Sequence, residues 1–280
     1  MLDEFLTFFK SFTKSMDIIY VIEGLKPVSR IILSEDYFKS SERVLEDYSV
    51  SIVPSDFKIK QEIDENRFSN KGVRIPANSK EKGRYFVYLS KKEELAEKAK
   101  QLEAEAKHAE LGKLLGYPKC CCEFFEKNFP AESKKQNDYV LAALRGSEGF
   151  RFPFYTNVAI RSMDLNLLSH FPCNFNCEES IRTAKKHLEL LKNLSPELGE
   201  ITAGMLKGVV IYTDKKGIFL LRDYKIKGNE IEYGGVMSSV NNEIYDSLKR
   251  SKKMRIIDKN HIKTDKSELK GPDIGILIFS

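Results

Sequence analysis

Five cysteines fall in only two short segments of this 280-residue chain, and they constrain its fold more than any other feature. Three are consecutive, Cys120–Cys122, and follow closely after Pro118. The other two, Cys173 and Cys177, follow Pro172 and precede a helix-like pattern. Each segment therefore predicts a helix whose N-terminal end follows a proline and carries thiols. Two such helix ends in one chain predict a single shared site.

The composition is that of an ordinary globular protein, with 41% hydrophobic and 31% charged residues. Its length suffices for one large domain or two smaller ones, which can bury a core without disulfides. No apolar run approaches the roughly 20 residues that span a bilayer, and the N-terminal segment lacks the order of a signal peptide. We therefore expect a cytoplasmic protein with no membrane partner. In that reducing compartment, the cysteines favour metal, redox or catalytic use over a disulfide framework.

The order of helical and strand-like patterns predicts an α/β (α+β) protein in three parts. Residues 1–89 are predicted to form a small α/β unit, residues 90–196 a helical core that carries the cysteines, and residues 197–280 a β-rich unit. In the first part, the β-branched and aromatic run over 17–23 predicts a strand. In the core, residues 157–169 are predicted to be helical.

Local sequence signals predict where the thiol-bearing helices begin. Pro118 suits the first position of a helix, which places the three following cysteines in its first turn and a half. Asn176 and Glu179 have the spacing of an N-cap and N3 pair, so Cys177 is predicted at the first helical position. A helix N-terminus stabilises a thiolate because its N–H groups are unpaired and its dipole end is positive. Metal ligation, an iron–sulfur cluster and a nucleophilic or redox thiol would all use that effect.

Helical geometry limits which cysteines can act on one ion, because consecutive side chains point about 100° apart. A four-ligand set of Cys120, Cys121, Cys173 and Cys177 satisfies this limit. His170 lies three residues before Cys173 and is an alternative fourth ligand. The cofactor predicted from these donors is an iron–sulfur cluster or zinc, with redox or sulfur chemistry as an accompanying activity.

Two other interpretations of the cysteines remain open. In a metal-free thiol enzyme, Cys120 or Cys121 would be the nucleophile and His170 the base. In a non-enzymatic protein, the thiols would hold structural zinc or pack in the core, since cysteine is among the most buried residue types. The distances between the sulfurs separate these classes, because sulfurs more than roughly 8 Å apart cannot share a zinc ion with bonds near 2.3 Å.

Three residues between the two cysteine segments are candidates for substrate binding. Arg145 and Arg161 could receive an anionic group, although surface arginines are commoner, and Asn157 is a similar candidate. The basic run over 249–255 could contact RNA or another polyanion, but it lacks the interleaved aromatic residues of single-strand binders. The chain contains no phosphate-binding glycine loop, zincin motif or serine-hydrolase motif. The substrate and the reaction are therefore not defined by the sequence.

The two cysteine segments resemble the motifs of one known family. The runs Leu115-Gly-Tyr-Pro-Lys-Cys-Cys121 and His170-Phe-Pro-Cys-Asn-Phe-Asn-Cys-Glu-Glu-Ser180 are similar to an archaeal family known only as domain of unknown function 483. The resemblance covers roughly residues 110–190. It implies that the two segments belong together and that Cys122 is an extra, but it implies no activity or cofactor. The positions that it marks are Gly116, Tyr117, Pro118, Cys120, Cys121, His170, Pro172, Cys173, Cys177 and Ser180.

Overall fold

The structure is a computed structural model that describes residues 1–61, 72–135 and 137–280. Ten α-helices and three β-sheets form within these ranges, which confirms the predicted α/β (α+β) class. Packing groups the described residues into two compact units, one up to Pro130 and one from Ala131. This boundary falls inside the helical core predicted over 90–196. The three-part division stays a prediction.

The first unit combines helices with one antiparallel sheet. Its helices are α1 (Leu2–Phe9), α2 (Phe12–Ile22), α3 (Glu35–Glu46), α4 (Glu93–Ala104), α5 (His108–Leu114) and most of α6 (Lys119–Glu132). Its strands are β1 (Ser29–Ser34), β2 (Ser51–Gln61), β3 (Gly72–Pro76) and β4 (Arg84–Ser90), in the sheet order β1-β4-β2-β3. Helix α4 packs on β2 and β4 and buries Ala96, Ala99 and Leu102 with Val53 and Tyr88.

The strand predicted over 17–23 is wrong, because residues 17–22 form the C-terminal half of α2 and Glu23 caps it. Ser11 begins the helix: its Oγ accepts a hydrogen bond from the Lys14 N–H at 3.3 Å. The helical turn then buries Ile19 and Tyr20. β-branched and aromatic residues favour strands only weakly, so the burial of a helical face outweighs that preference.

The second unit contains four helices and two five-stranded sheets among its described residues. The helices are α7 (Val140–Arg145), α8 (Glu178–Leu194), α9 (Pro196–Leu206) and α10 (Glu243–Arg250). The first sheet has the order β10-β7-β6-β14-β5, with β5 (Arg151–Phe152), β6 (Gly208–Thr213), β7 (Gly217–Arg222), β10 (Gly235–Ser238) and β14 (Ile274–Phe279). The second has the order β13-β12-β11-β9-β8, with β8 (Lys225–Lys227), β9 (Glu230–Glu232), β11 (Lys253–Asp258), β12 (His261–Thr264) and β13 (Glu268–Lys270). None of the helices described in either unit is both long enough and apolar enough to cross a bilayer.

The helix predicted over 157–169 is also wrong, because only a short 3₁₀ turn at Arg161–Met163 forms there. The Asn157 side chain forms hydrogen bonds with two main-chain groups, one nearby and one distant in sequence. Its Nδ2 donates to the Leu206 carbonyl at 2.7 Å, and its Oδ1 accepts from the Ala159 N–H at 3.2 Å. Such side-chain bonds compete with the helical hydrogen-bond ladder, which explains the irregular path of this segment.

Candidate metal centre

The first thiol pair lies in the opening turn of α6. The Pro118 carbonyl accepts hydrogen bonds from the N–H groups of Cys121 and Cys122, both at 3.0 Å. Lys119 is therefore the first helical residue, and the proline stands one position earlier than predicted. Cys120 is exposed and Cys121 is buried, and their sulfurs are 3.9 Å apart. The first turn of α6 holds these two sulfurs close together, although the side chains of consecutive helical residues point about 100° apart.

Cys122, the third cysteine of the run, packs within the first unit. Its thiol donates to the Tyr117 carbonyl at 3.7 Å. It also lies against Gly112, where an added Cβ would come within 2.7 Å of the sulfur. Burial raises the pKa of Cys122 to about 11. Cys122 does not belong to the group of four cysteines whose sulfurs lie within 4.8 Å of one another, so its observed role is packing.

The second thiol pair brackets a turn that is held at its centre by Phe175. This ring is fully buried and packs against Phe152 at 5.0 Å and Phe279 at 5.6 Å between ring centroids. The Phe175 N–H donates to Ser147 Oγ at 2.8 Å, and its carbonyl accepts from Thr156 Oγ1 at 2.7 Å. The main chain is thus fixed from both sides at the midpoint between the two cysteines.

Cys177 occupies the N-cap position of α8, so its predicted place inside the helix is wrong by one residue. The first helical residue is Glu178. Asn176, the predicted cap, instead donates its N–H to Asn174 Oδ1 at 2.9 Å in a local turn. An N-cap side chain lies beside the unpaired N–H groups of the first turn. Cys177 therefore lies at the positive end of the α8 helix dipole.

The four cysteines of the predicted ligand set form one cluster. The sulfurs of Cys120, Cys121, Cys173 and Cys177 all lie within 4.8 Å of one another. Two sulfurs bonded to one tetrahedral zinc ion at 2.3 Å are about 3.8 Å apart, so the four sulfurs have nearly the spacing of a single site. The donors are soft thiols, which suit zinc and other thiophilic metals. The cluster could therefore bind a metal.

His170 is not a member of this four-cysteine cluster. It is buried, and its Nε2 lies 3.0 Å from Ser180 Oγ in the first turn of α8. This contact joins the segment before Cys173 to the helix after Cys177. Its predicted roles as a metal ligand or a catalytic base remain predictions.

The three candidates for substrate binding each have a partner within the protein. Arg145 forms an ion pair with Glu132. The Arg161 guanidinium lies 4.5 Å from the centroid of the Phe171 ring. Asn157 is buried and bonds to the main chain, as described above. Their role in substrate binding stays a prediction.

The basic run over 249–255 is partly engaged by its own unit. Lys252 Nζ donates to the Gly234 carbonyl at 3.0 Å, and Lys253 forms an ion pair with Glu232 at 2.8 Å. Since the Lys253 pair is exposed, it contributes little to stability. Contact of this run with RNA or another polyanion remains a prediction.

The residues that hold the second thiol pair were not predicted from the sequence. Ser147 and Thr156 fix the main chain of the turn, and Gly146 leaves room for it, since a Cβ there would lie 3.0 Å from the Cys173 carbonyl. One signal was present in the chain: Phe175 places a large apolar side chain at the centre of a Cys-x3-Cys segment. A residue of that kind is usually buried, and its burial fixes its neighbours.

Comparison with known proteins finds a family model that matches the central segment of the chain. Residues 94–195 match the family model described as a protein of unknown function, DUF483. This match confirms the resemblance to domain of unknown function 483, and the matched segment contains all four clustered cysteines. No curated protein and no solved structure matches the chain.

Proposed function

We propose that this protein binds one metal ion through Cys120, Cys121, Cys173 and Cys177, and that the ion is zinc. The observation that carries the proposal is the mutual distance of no more than 4.8 Å among the four sulfurs. A tetrahedral zinc ion with Zn–S bonds near 2.3 Å sets its sulfurs about 3.8 Å apart. The 3.9 Å between the Cys120 and Cys121 sulfurs is close to that value.

The same distances favour a single ion over an iron–sulfur cluster. A cluster divides its cysteines among two or more irons, so some of its sulfurs stand further apart than on one shared ion. A compact set of four sulfurs therefore suits a mononuclear site. Zinc is the first choice among such ions because it binds four thiolates in tetrahedral geometry and is not redox-active.

The role proposed for the site is structural. Four protein ligands close the coordination sphere, whereas catalytic zinc sites keep one position for water or substrate. Binding four thiolates to a divalent ion leaves net negative charge, which the positive N-termini of α6 and α8 offset. Metal binding would then contribute directly to folding, because the unfolded chain offers no preformed site.

A second candidate function is a metal-free thiol enzyme, and the exposure of Cys120 favours it. Cys120 is accessible to a substrate, and the Cys121 sulfur lies 3.9 Å away as a second thiol. This candidate requires a fast-reacting thiolate in protein that contains no metal. Uniformly slow alkylation of metal-free protein would exclude it.

The decisive experiment is anaerobic purification followed by metal and acid-labile sulfide analysis. We expect about one zinc per chain and no sulfide. Serine in place of Cys121 or Cys177 should abolish stoichiometric binding, whereas Cys122→Ser is the matched control and should retain it. Substoichiometric metal in every preparation would reject the metal site. Stoichiometric iron together with acid-labile sulfide would show that the cofactor is an iron–sulfur cluster and not zinc.

Cobalt provides a spectroscopic test of the ligand set, because zinc itself has a filled d shell and no such spectrum. Loading the protein with Co²⁺ should produce intense thiolate-to-metal charge-transfer absorption and the visible bands of a tetrahedral ion. The charge-transfer intensity should fall in Cys120→Ser and Cys173→Ser but not in Cys122→Ser. Equal spectra in all three variants would contradict the proposed ligands.

A further inference from the structure

The second sheet of the second unit has one apolar side and one charged side. On the apolar side, residues such as Met254 and Ile262 are buried in a hydrophobic core. The residues that alternate with them project to the opposite side, because successive side chains of a strand point to opposite faces of a sheet. Lys253 and Arg255, which belong to the basic run over 249–255, are among these outward residues and are exposed.

Strand pairing defines two rows of residues on the outward side. Residues that face each other on neighbouring strands lie on the same side of a sheet. The first row crosses all five strands in the order Glu268, Lys263, Arg255, Glu230 and Lys227. The second row crosses three strands in the order Lys253, Glu232 and Lys225. These two rows are the charged face, and all of their residues except the half-buried Glu232 are exposed.

The charged face has more cations than anions. Its two rows hold five lysine and arginine residues and three carboxylates. Two of the carboxylates are already engaged, because Glu232 pairs with Lys253 at 2.8 Å and Glu268 pairs at 2.7 Å with His261, which lies outside the rows. Within the part of the chain that the structure describes, no carboxylate forms an ion pair with the four other cations, Lys225, Lys227, Arg255 and Lys263.

Two of these cations oppose each other across neighbouring strands. Arg255 of β11 stands directly opposite Lys263 of β12, and both side chains are exposed. Like charges in facing positions destabilise a sheet. Stability therefore does not account for this pair, and a local rule that is broken in this way is typical of a functional surface. A polyanion on the charged face would turn both charges into favourable contacts.

A carboxylate in the second row reports the positive field of the charged face. The pKa of Glu232 is lowered by its hydrogen bond with Lys253. The charges of Lys225 and Lys227 lower the pKa further, although neither lysine forms an ion pair with this carboxylate. The excess of positive charge that follows from strand pairing is thus felt by the groups on the face.

The shape and composition of the charged face favour the backbone of an RNA duplex. Its rows contain no aromatic residue, so they offer no platform on which the bases of a single strand could stack. Five strands about 4.8 Å apart make a sheet about 19 Å wide. That width exceeds the roughly 12 Å of the major groove of B-DNA. The minor groove of an A-form duplex is wide and shallow, and its 2′-hydroxyls can donate to the interleaved carboxylates.

We propose that the charged face binds double-stranded RNA through its phosphate backbone. The four cations without an ion pair contact phosphates, and the Glu230 carboxylate accepts a hydrogen bond from a 2′-hydroxyl. Contacts of this kind carry no sequence information, because phosphates and sugars are the same at every step of the duplex. The charged face lies within the second unit and contains no cysteine, so this proposal does not rest on the proposed zinc site.

Fluorescence anisotropy of a labelled RNA duplex of about 16 base pairs tests the proposal with the metal-replete full-length chain. We expect saturable binding with a dissociation constant of about 1–100 µM, the range of sequence-independent contacts. Four phosphate contacts should give a slope of about −3 to −4 in a plot of log affinity against log salt concentration. A DNA duplex of the same sequence, single-stranded RNA and phosphatidylserine vesicles are comparison ligands and should bind at least about fivefold more weakly.

Arg255→Gln and Lys263→Gln test the opposed pair of cations. Each should weaken RNA binding about fivefold and reduce the steepness of the salt dependence by about one unit of slope. Each should also raise the melting temperature, because it relieves the repulsion between facing cations. Loss of structure therefore cannot explain the weaker binding. Lys186→Gln, which changes an exposed lysine on α8 in the same unit, is the matched control and should bind like the parent chain.

Three outcomes would overturn the proposal. The RNA duplex does not bind, the two glutamine variants bind it as tightly as the parent chain does, or one of the comparison ligands binds as tightly as the RNA duplex.

Discussion

The two thiol pairs reach their positions by different means. Cys120 and Cys121 are neighbours on one helical turn, and the start of α6 sets the 3.9 Å between their sulfurs. Cys173 and Cys177 flank a turn whose midpoint is held by residues distant in sequence. The first pair is therefore encoded locally, whereas the second depends on the packing of its unit. Damage to that packing should affect the second pair far more.

The largest expected effect is that of Phe175→Ala, which removes the buried ring at the centre of the Cys173–Cys177 turn. We expect a loss of about 3–5 kcal/mol in the free energy of unfolding, as for other buried phenylalanines. Metal affinity should fall as well, because the main chain that aligns the second pair is no longer fixed. Denaturant titration and metal analysis measure the two effects.

Phe125→Ala is the matched control on α6. Phe125 is half-buried and contacts Phe129 with ring centroids 5.6 Å apart, so its loss should cost about half as much. If Phe125→Ala and Phe175→Ala lowered the free energy of unfolding equally, the idea that the second thiol pair depends more strongly on packing would be contradicted.

A smaller effect is expected from Ser147→Ala, which removes one hydrogen-bond partner of the turn. Ser147 Oγ accepts from the Phe175 N–H and donates to the Ala143 carbonyl at 2.7 Å. The substitution leaves a buried N–H unpaired and should cost about 1–3 kcal/mol. Ser40→Ala is the control, because Ser40 Oγ also donates to a carbonyl four residues earlier but is exposed. A cost as small as that of the control would show that Ser147 does not secure the turn.

The contrast between the pairs also explains what the sequence could predict. The grouping of Cys120, Cys121, Cys173 and Cys177 was predicted from helix periodicity and from the prolines ahead of each thiol segment, which are local signals. The strand predicted over 17–23 is wrong because burial of one helical face determines the conformation of that segment. The helix predicted over 157–169 is wrong because the Asn157 side chain hydrogen-bonds to main-chain groups there. The Phe175 anchor could not be derived, since its partners Ser147 and Thr156 lie 28 and 19 residues away. Sheet order depends on the same kind of distant pairing.

The smallest expected effect separates Cys122 from the thiol pair beside it. If Cys122 only fills space, Cys122→Ala should cost about 1 kcal/mol and leave the metal content unchanged. Gly112→Ala alone should be destabilising, because its Cβ would meet the Cys122 sulfur at 2.7 Å.

The double variant completes a thermodynamic cycle for these two residues. Removing the sulfur gives the new Cβ room, so Gly112→Ala should become neutral or stabilise α5 by up to about 1 kcal/mol in the Cys122→Ala background. Additive costs would show that the two residues do not compete for one space. A loss of metal in Cys122→Ala would instead assign Cys122 to the ligand set, and the division of the cysteine run into two ligands and one packing residue would fail.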